Sequence, residues 1–129
     1  MAAIGILLCD DLLFTSRVSG TARALGLEMQ TARNVAALEE IARQQEPACV
    51  IVDVHHPGLN LPALVAAVRQ RPACTIVAYG SHVAADVLQA ARDAGCDVVL
   101  PRSKFVESLV EELPRWYARG SAKPPSEIP

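Results

Sequence analysis

The sequence predicts an α/β fold: a doubly wound, five-stranded parallel sheet in the order 2-1-3-4-5, with helices on both faces. Three observations predict the parallel α/β sheet, and the order is one common to doubly wound sheets. Short apolar runs alternate with helix-period segments along most of the chain. Two of these runs, Ile4-Gly5-Ile6-Leu7-Leu8-Cys9 and Cys49-Val50-Ile51-Val52, are apolar throughout rather than at every second position. That pattern suits strands buried on both faces, as in a parallel sheet. Each run also ends in carboxylate, Asp10-Asp11 in the first and Asp53 in the second. Strict alternation of strand and helix implies right-handed crossovers. In open sheets of this class, ligands bind beyond the carboxyl ends of the strands, at the switch point. The predicted order makes strands one and three neighbours there, so Asp10, Asp11 and Asp53 are expected to converge.

The elements follow in order. Strand one is Ile4 to Cys9. Asp10 and Asp11 close it and can cap the helix that follows, whose inward positions are Phe14, Val18, Ala22 and Leu25. Gly26 ends that helix. Leu27 to Ala32 is a short, rather polar strand that suits a sheet edge. Asn34 caps the second helix, with Val35, Leu38, Ile41 and Ala42 inward, and Pro47 stops any continuation. Strand three begins at Cys49 and ends at Asp53, before the turn at Pro57-Gly58. Asn60 and Pro62 start the third helix, carrying Leu64, Val65 and Val68; Pro72 breaks the chain before strand four, Thr75 to Tyr79. Gly80-Ser81-His82 reads as a loop. Val83, Val87, Leu88 and Ala91 mark helix four, which ends at Gly95. Asp97 to Leu100 is strand five, and Pro101-Arg102-Ser103 reads as a loop. Helix five carries Phe105, Leu109 and Leu113 until Pro114 disrupts it. Residues 1–114 form the domain, and residues 115–129 read as a flexible tail, with Pro124-Pro125 near its end.

Composition narrows the functions. A chain of 129 residues with 51% hydrophobic content can bury a real core in one domain. The net charge is −2 and no basic stripe is visible, which argues against nucleic acid as a direct partner. The first apolar run lacks a basic lead and stops at two aspartates, so it does not read as a signal peptide. No segment approaches the roughly 20 apolar residues that span a bilayer. Cys9, Cys49, Cys74 and Cys96 are scattered singly, as expected of buried reduced thiols in a cytoplasmic protein. Asp10-Asp11-Leu12 lacks a glycine-rich phosphate cradle, so nucleotide hydrolysis and dinucleotide binding are not expected.

With these residues in place, the chain resembles the receiver domain of bacterial response regulators, of the chemotaxis-regulator type, a flavodoxin-like fold. The resemblance covers Ile4 to about Leu113. It rests on the acidic pair Asp10-Asp11 after strand one, and on Asp53 at the end of strand three. It rests also on Asp53-x-x-His56-Pro57, similar to the family's Asp-x-x-Met-Pro, and on Ala94-Gly95-Cys96-Asp97 before strand five. The resemblance implies a two-component signal-transduction role, in a phosphorelay, rather than a classical enzyme. Asp53 would accept a phosphoryl group from a histidine kinase or phosphotransfer protein, and self-catalysed transfer and dephosphorylation would be its only chemistry. Mg²⁺ would be held by Asp11, Asp53 and the His55 backbone carbonyl, with Asp10 holding a metal-bound water. A divalent cation relieves repulsion among clustered carboxylates and neutralises a phosphoryl group in transfer. Output would pass to a downstream protein, with no membrane contact, from a monomer or weak dimer.

The pattern also departs from the family. Counting back from Gly95, Gly80 takes the place of the family's Thr or Ser at the end of strand four, and Ser81 is the candidate substitute. Arg102 stands in place of the family lysine. Its planar fork is not equivalent to an ammonium. Lys104 is a second candidate, placed in the first turn of helix five. Ser103 replaces the family proline, so no cis bond is expected and Ser103 suits a helix N-cap. Val99 stands where the family has its switch aromatic. Two readings therefore stand. The domain is phosphorylated and signals by another route, such as the loop Gly80 to Ala84, or it is a pseudo-receiver that binds a partner without phosphorylation. Asp53-Val54-His55-His56-Pro57-Gly58 also spells a D-x-H-x-x-G pattern similar to a cobalamin-binding fingerprint. That fingerprint belongs after the first strand and needs a downstream Gly-Gly pair that this sequence lacks. His55 and His56 with Asp11 and Asp53 form a softer-metal alternative, such as zinc. Adjacent residues rarely point into one site, so both are expected to be loop histidines.

Overall fold

The computed structural model describes residues 3–70 and 73–121. Five strands and five helices alternate: β1 (Ile4–Leu8), α1 (Leu12–Ala24), β2 (Glu28–Ala32), α2 (Val35–Gln45), β3 (Cys49–Asp53), α3 (Leu61–Val68), β4 (Thr75–Gly80), α4 (Ala85–Asp93), β5 (Val98–Pro101) and α5 (Arg102–Ser121). The strands are parallel, in the order β2-β1-β3-β4-β5. The doubly wound sheet expected from the sequence is the one observed. Period-two alternation splits each central strand between two cores. Leu7, Cys49, Ile51, Val77 and Tyr79 pack under α1 and α5, and Ile6, Leu8, Val50, Val52 and Ile76 pack under α2 and α3. Polar β2 lies at an edge, as its composition suggests.

Local chemistry sets the helix boundaries. Asp11 Oδ1 accepts the Leu13 and Phe14 amides at the start of α1, and Asn34 and Asn60 cap α2 and α3 in the same way. Gly26 takes a φ of 75° just past α1, the left-handed geometry a helix C-terminus favours in glycine. In the Ala94–Asp97 segment, Asp97 Oδ2 accepts the Ile76 amide at 2.7 Å and meets Arg69 Nη2 at 2.7 Å. Arg69 also donates to the Cys74 and Gly95 carbonyls. This cluster fastens the start of β5 to β4.

Several local expectations are corrected. Gly80 and Pro101 are strand residues, paired with each other across the β4–β5 ladder. An edge strand tolerates proline because the missing N–H can face away from its neighbour. Arg102 and Ser103 open α5 directly, so Ser103 lies inside the helix rather than capping it. No cis peptide occurs among the described residues. Val83 precedes α4 and is 78% exposed, rather than belonging to the helix core. Cys9, Cys49 and Cys74 are buried free thiols, whereas Cys96 is half-buried.

The largest correction concerns the C-terminus. Helix α5 runs through Pro114 to Ser121, so residues 115–121 are not a flexible tail. An interior proline costs about 3 kcal/mol. Trp116 and Tyr117, 2% and 3% exposed, offset it. Aromatic side chains of this kind bury about 150–250 Å² each, on the order of 4–6 kcal/mol apiece at 25 cal per Å². Burial therefore wins over the backbone penalty. The Thr75 hydroxyl donates to the Trp116 carbonyl at 2.9 Å, and the Tyr117 hydroxyl donates to the Glu28 carbonyl at 2.6 Å. The Tyr117 ring also requires Gly5, since a Cβ there would lie 2.7 Å from its Cζ. Pro72, Pro124-Pro125 and the rest of residues 122–129 lie outside the described residues.

Candidate functional site: a cleft at the carboxyl edge of the sheet

Strands β1, β3, β4 and β5 all end at one edge, and a cleft of about 670 Å³ opens there. Asp53, at the end of β3, and the β4 end residues Tyr79 and Gly80 line it. His55, Ser81 and His82 come from the following turns, and Arg102 and Ser103 from the first turn of α5. Arg17 and Phe14 complete the wall from α1. Of the residues singled out in the sequence, Asp53, His55, Gly80, Ser81 and Arg102 are thus brought together.

Asp53 is half-buried at the end of the strand. Its Oδ1 accepts the His55 amide at 2.9 Å, and its carbonyl accepts the His56 amide at 3.0 Å. The Val54 amide donates across to the Tyr79 carbonyl at 3.0 Å. The chain beyond β3 is therefore a tight turn built on the Asp53 side chain.

The acidic pair behaves otherwise. The β1–β3 adjacency is as expected, but neither Asp10 nor Asp11 lines the cleft. Asp10 is exposed. Asp11 is occupied at both oxygens: Oδ1 caps α1, and Oδ2 meets Arg102 Nη2 at 3.2 Å. The Arg102 guanidinium also sits over the Phe14 ring, 4.1 Å from its centroid. Among the described residues, no three His, Cys, Asp or Glu side chains are grouped to hold a metal ion. Of the set implied for Mg²⁺, Asp53 and His55 line the cleft, Asp10 is exposed outside it, and Asp11 is engaged by Arg102. The Arg102 guanidinium stands against Asp11 instead.

The Asp11 carboxyl is held below its ordinary value of 3.8, first by the Phe14 amide and then by the Arg102 hydrogen bond. Because its folded pKa is depressed, its contribution to stability is present above pH 3.8 and is lost as pH falls through the lower folded value. A carboxyl carbon-13 titration should give a midpoint below 3.8, and Arg102→Ala should move it upward without restoring it fully. A midpoint unchanged by Arg102→Ala would show that the pair does not form in solution.

The remaining candidates lie elsewhere. Val99 is half-buried on β5 opposite Ala78, outside the cleft. Lys104 is in the first turn of α5, with Nζ 3.2 Å from the Glu107 carboxylate. His56 is not a site residue: it is buried, with ring nitrogens 2.6 Å from the Arg33 carbonyl and 2.9 Å from the Pro57 carbonyl. It fastens the turn after β3 to the turn after β2.

Sequence reasoning missed the floor of the site. Tyr79 lies 5.0 Å from Phe14 and 4.8 Å from Phe105, ring centroid to centroid, and Phe105 stacks on Trp116 at 5.8 Å. Burial, then the Cys9 thiol and the Asp53 charge, push the Tyr79 phenol up. The inward spacing of Phe14 and Phe105 hinted at this column, but strand position alone left Tyr79 undecided. Burial also pushes the Cys74 thiol to about 12 and Cys96 to about 11, the wrong direction for nucleophiles.

No family model matches the chain, and no curated protein matches it. Solved structures do. A response regulator from Thermotoga maritima superposes with a TM-score of 0.77 at 16% identity, covering 92% of this chain and 99% of that one. A CheY-like receiver domain protein from Methanospirillum hungatei gives 0.79 at 13% identity, covering 93% and 97%. The receiver domain of NtrX from Brucella abortus gives 0.75 at 19% identity, covering 89% and 98%. The structural neighbours of this chain are thus response-regulator receiver domains, and the fold is theirs.

Proposed function

We propose that the chain is a signalling receiver in which Asp53 accepts a phosphoryl group from a histidine kinase or phosphotransfer protein. The observation that carries this reading is the half-buried Asp53 carboxylate at the carboxyl end of the central strand, opening into a cleft that also holds Arg17 and Arg102. An oxygen of Asp53 attacks phosphorus. The new P–O bond forms as the P–N bond to the donor imidazole breaks, and that electron pair returns to the imidazole ring. The product is an acyl phosphate on Asp53. Arginine forks match phosphoryl oxygens, and Arg102 is near enough to Asp11 to be held ready. The output is contact with a downstream protein, and the cytoplasm is the proposed location. No helix among the described residues is long and apolar enough to cross a membrane.

Mg²⁺ would have to displace Arg102 from Asp11, so no step is assigned to it. Arg102→Ala frees that carboxylate oxygen and should therefore tighten Mg²⁺ binding. Chemical-shift titration of the Asp11 and Asp53 carboxyls would measure it, and unchanged affinity would show that Arg102 does not compete.

A second reading, a pseudo-receiver that binds its partner without phosphorylation, is favoured by one observation: the Arg102–Asp11 pair fills the acidic corner of the site. The test is labelling with acetyl phosphate and with a panel of histidine kinases, with and without Mg²⁺, read by intact mass and peptide mapping. One phosphoryl group on Asp53 supports the acceptor. No adduct from any donor supports the pseudo-receiver.

A further inference from the structure

Gly80 does more than lack a hydroxyl. A Cβ at this position would collide with Val54 Cγ2 and lie 3.1 Å from His55 Nε2. The second distance is tighter than ordinary van der Waals contact, so a side chain at position 80 would press against the imidazole of His55. In the space that glycine leaves, His55 Nε2 accepts the Ser81 amide at 2.9 Å. An accepting Nε2 puts the ring proton on Nδ1. At its other end, His55 donates its own amide to Asp53 Oδ1 at 2.9 Å. One residue therefore joins the Asp53 carboxylate to the first amide beyond β4.

The connection continues. Ser81 Oγ accepts the Val83 amide at 3.3 Å, and the Ser81 carbonyl accepts the Ala84 amide at 3.0 Å. The Ala84 carbonyl accepts the Leu88 amide at 3.0 Å, at the start of α4. Val83, the apolar residue at the tip of this turn, is 78% exposed.

We infer that His55 is the positioning residue that transmits a change at Asp53 to the turn between β4 and α4, by releasing the Ser81 amide. The inference rests on the reading of Asp53 as the phosphoacceptor. The physical cause is the loss of charge at the bonded oxygens. A carboxylate holds the His55 amide through a charge-assisted bond, about twice as strong as a neutral one. In an acyl phosphate, one oxygen bridges to phosphorus and the other is a neutral carbonyl. The bond that sets the His55 backbone weakens, the imidazole moves with it, and Ser81 loses its acceptor. Gly80 favours this arrangement, because a Cβ would collide with Val54 and press on the bonded ring.

The test combines two readings of one sample. Nitrogen-15 NMR follows the Ser81, Val83 and Ala84 amides while acetyl phosphate is added, and intact mass gives the fraction phosphorylated. In the native chain these amides should shift in proportion to the adduct. His55→Ala should move the Ser81 amide in the unmodified protein and remove its response per phosphorylated molecule. His55→Gln, whose side-chain oxygen can accept the same amide, should restore part of it. Gly80→Ala should weaken the response with His55 intact. If His55→Ala forms adduct and the three amides still respond as in the native chain, the inference is overturned while the acceptor reading stands. If the native chain forms no adduct, the acceptor reading fails and the coupling falls with it.

Discussion

Asp53→Asn should abolish the phosphoryl adduct completely, from acetyl phosphate and from every kinase donor. The substitution is nearly isosteric, and its amide oxygen can still accept the His55 amide that Asp53 Oδ1 now holds at 2.9 Å. The turn after β3 should persist through the His56 amide bond to the residue 53 carbonyl, at a cost of about 1 kcal/mol, while the weaker neutral bond to the His55 amide shifts the Ser81 amide partway without any phosphoryl group. What is lost is the nucleophile: an amide oxygen is neutral, and its lone pair is drawn into resonance with nitrogen. Asp10 and Asp11 should not replace it, because neither lines the cleft and Asp11 is occupied at both oxygens. The check is intact mass with peptide mapping beside a urea unfolding curve. An adduct that survives in a folded Asp53→Asn protein would assign the chemistry to another carboxylate and remove the reason for placing the site in this cleft.

Trp116→Ala should destabilise the fold by about 3–5 kcal/mol, the usual cost of deleting a large buried aromatic side chain. Its ring ends the aromatic column that starts at Tyr79 under the cleft, and its carbonyl accepts the Thr75 hydroxyl at 2.9 Å. Tyr117→Phe should cost less, about 0.5–1.5 kcal/mol, by removing the bond to the Glu28 carbonyl. A chain ending at Leu113 loses both rings and should be the least stable of the three. Urea unfolding followed by circular dichroism measures all of them. The native chain carries a single tryptophan, so its fluorescence also reports whether this segment is buried. A loss below about 1 kcal/mol in Trp116→Ala would mean that the segment after Pro114 is not docked in solution.

The fold was legible because it is written in local patterns. Continuous apolar runs marked β1, β3 and β4, and period-3.6 spacing marked the helices between them. Asp11, Asn34, Asn60 and Gly26 mark helix ends through hydrogen bonds or backbone geometry confined to a few neighbouring residues. Alternation with the right-handed crossover rule then gave a parallel sheet, and the order 2-1-3-4-5 came from the doubly wound class it matches. The position of Asp53 at the carboxyl edge follows from the same reasoning, since a strand end needs no knowledge of side-chain contacts.

Pro114 misled for the same reason that local reading otherwise succeeds. Its cost is intrinsic to the residue, while the burial that offsets it depends on where α5 lies against Thr75 and β2. The acidic corner is similar. Sequence places Asp10 and Asp11 beside Asp53, but it does not give the reach of Arg102, which is 91 residues away in sequence from the Asp11 it meets.

By itself, then, the sequence determined the element order, the parallel sheet, the helix caps and the edge at which Asp53 stands. These depend on periodicity and on bonds between near neighbours. Only the tertiary structure decided that Asp11 pairs with Arg102, that Tyr79 floors the cleft, and that α5 continues through Pro114. It also decided that Gly80 makes room for a histidine. Each of these joins groups far apart in the chain, and its energy depends on distances that no local pattern specifies.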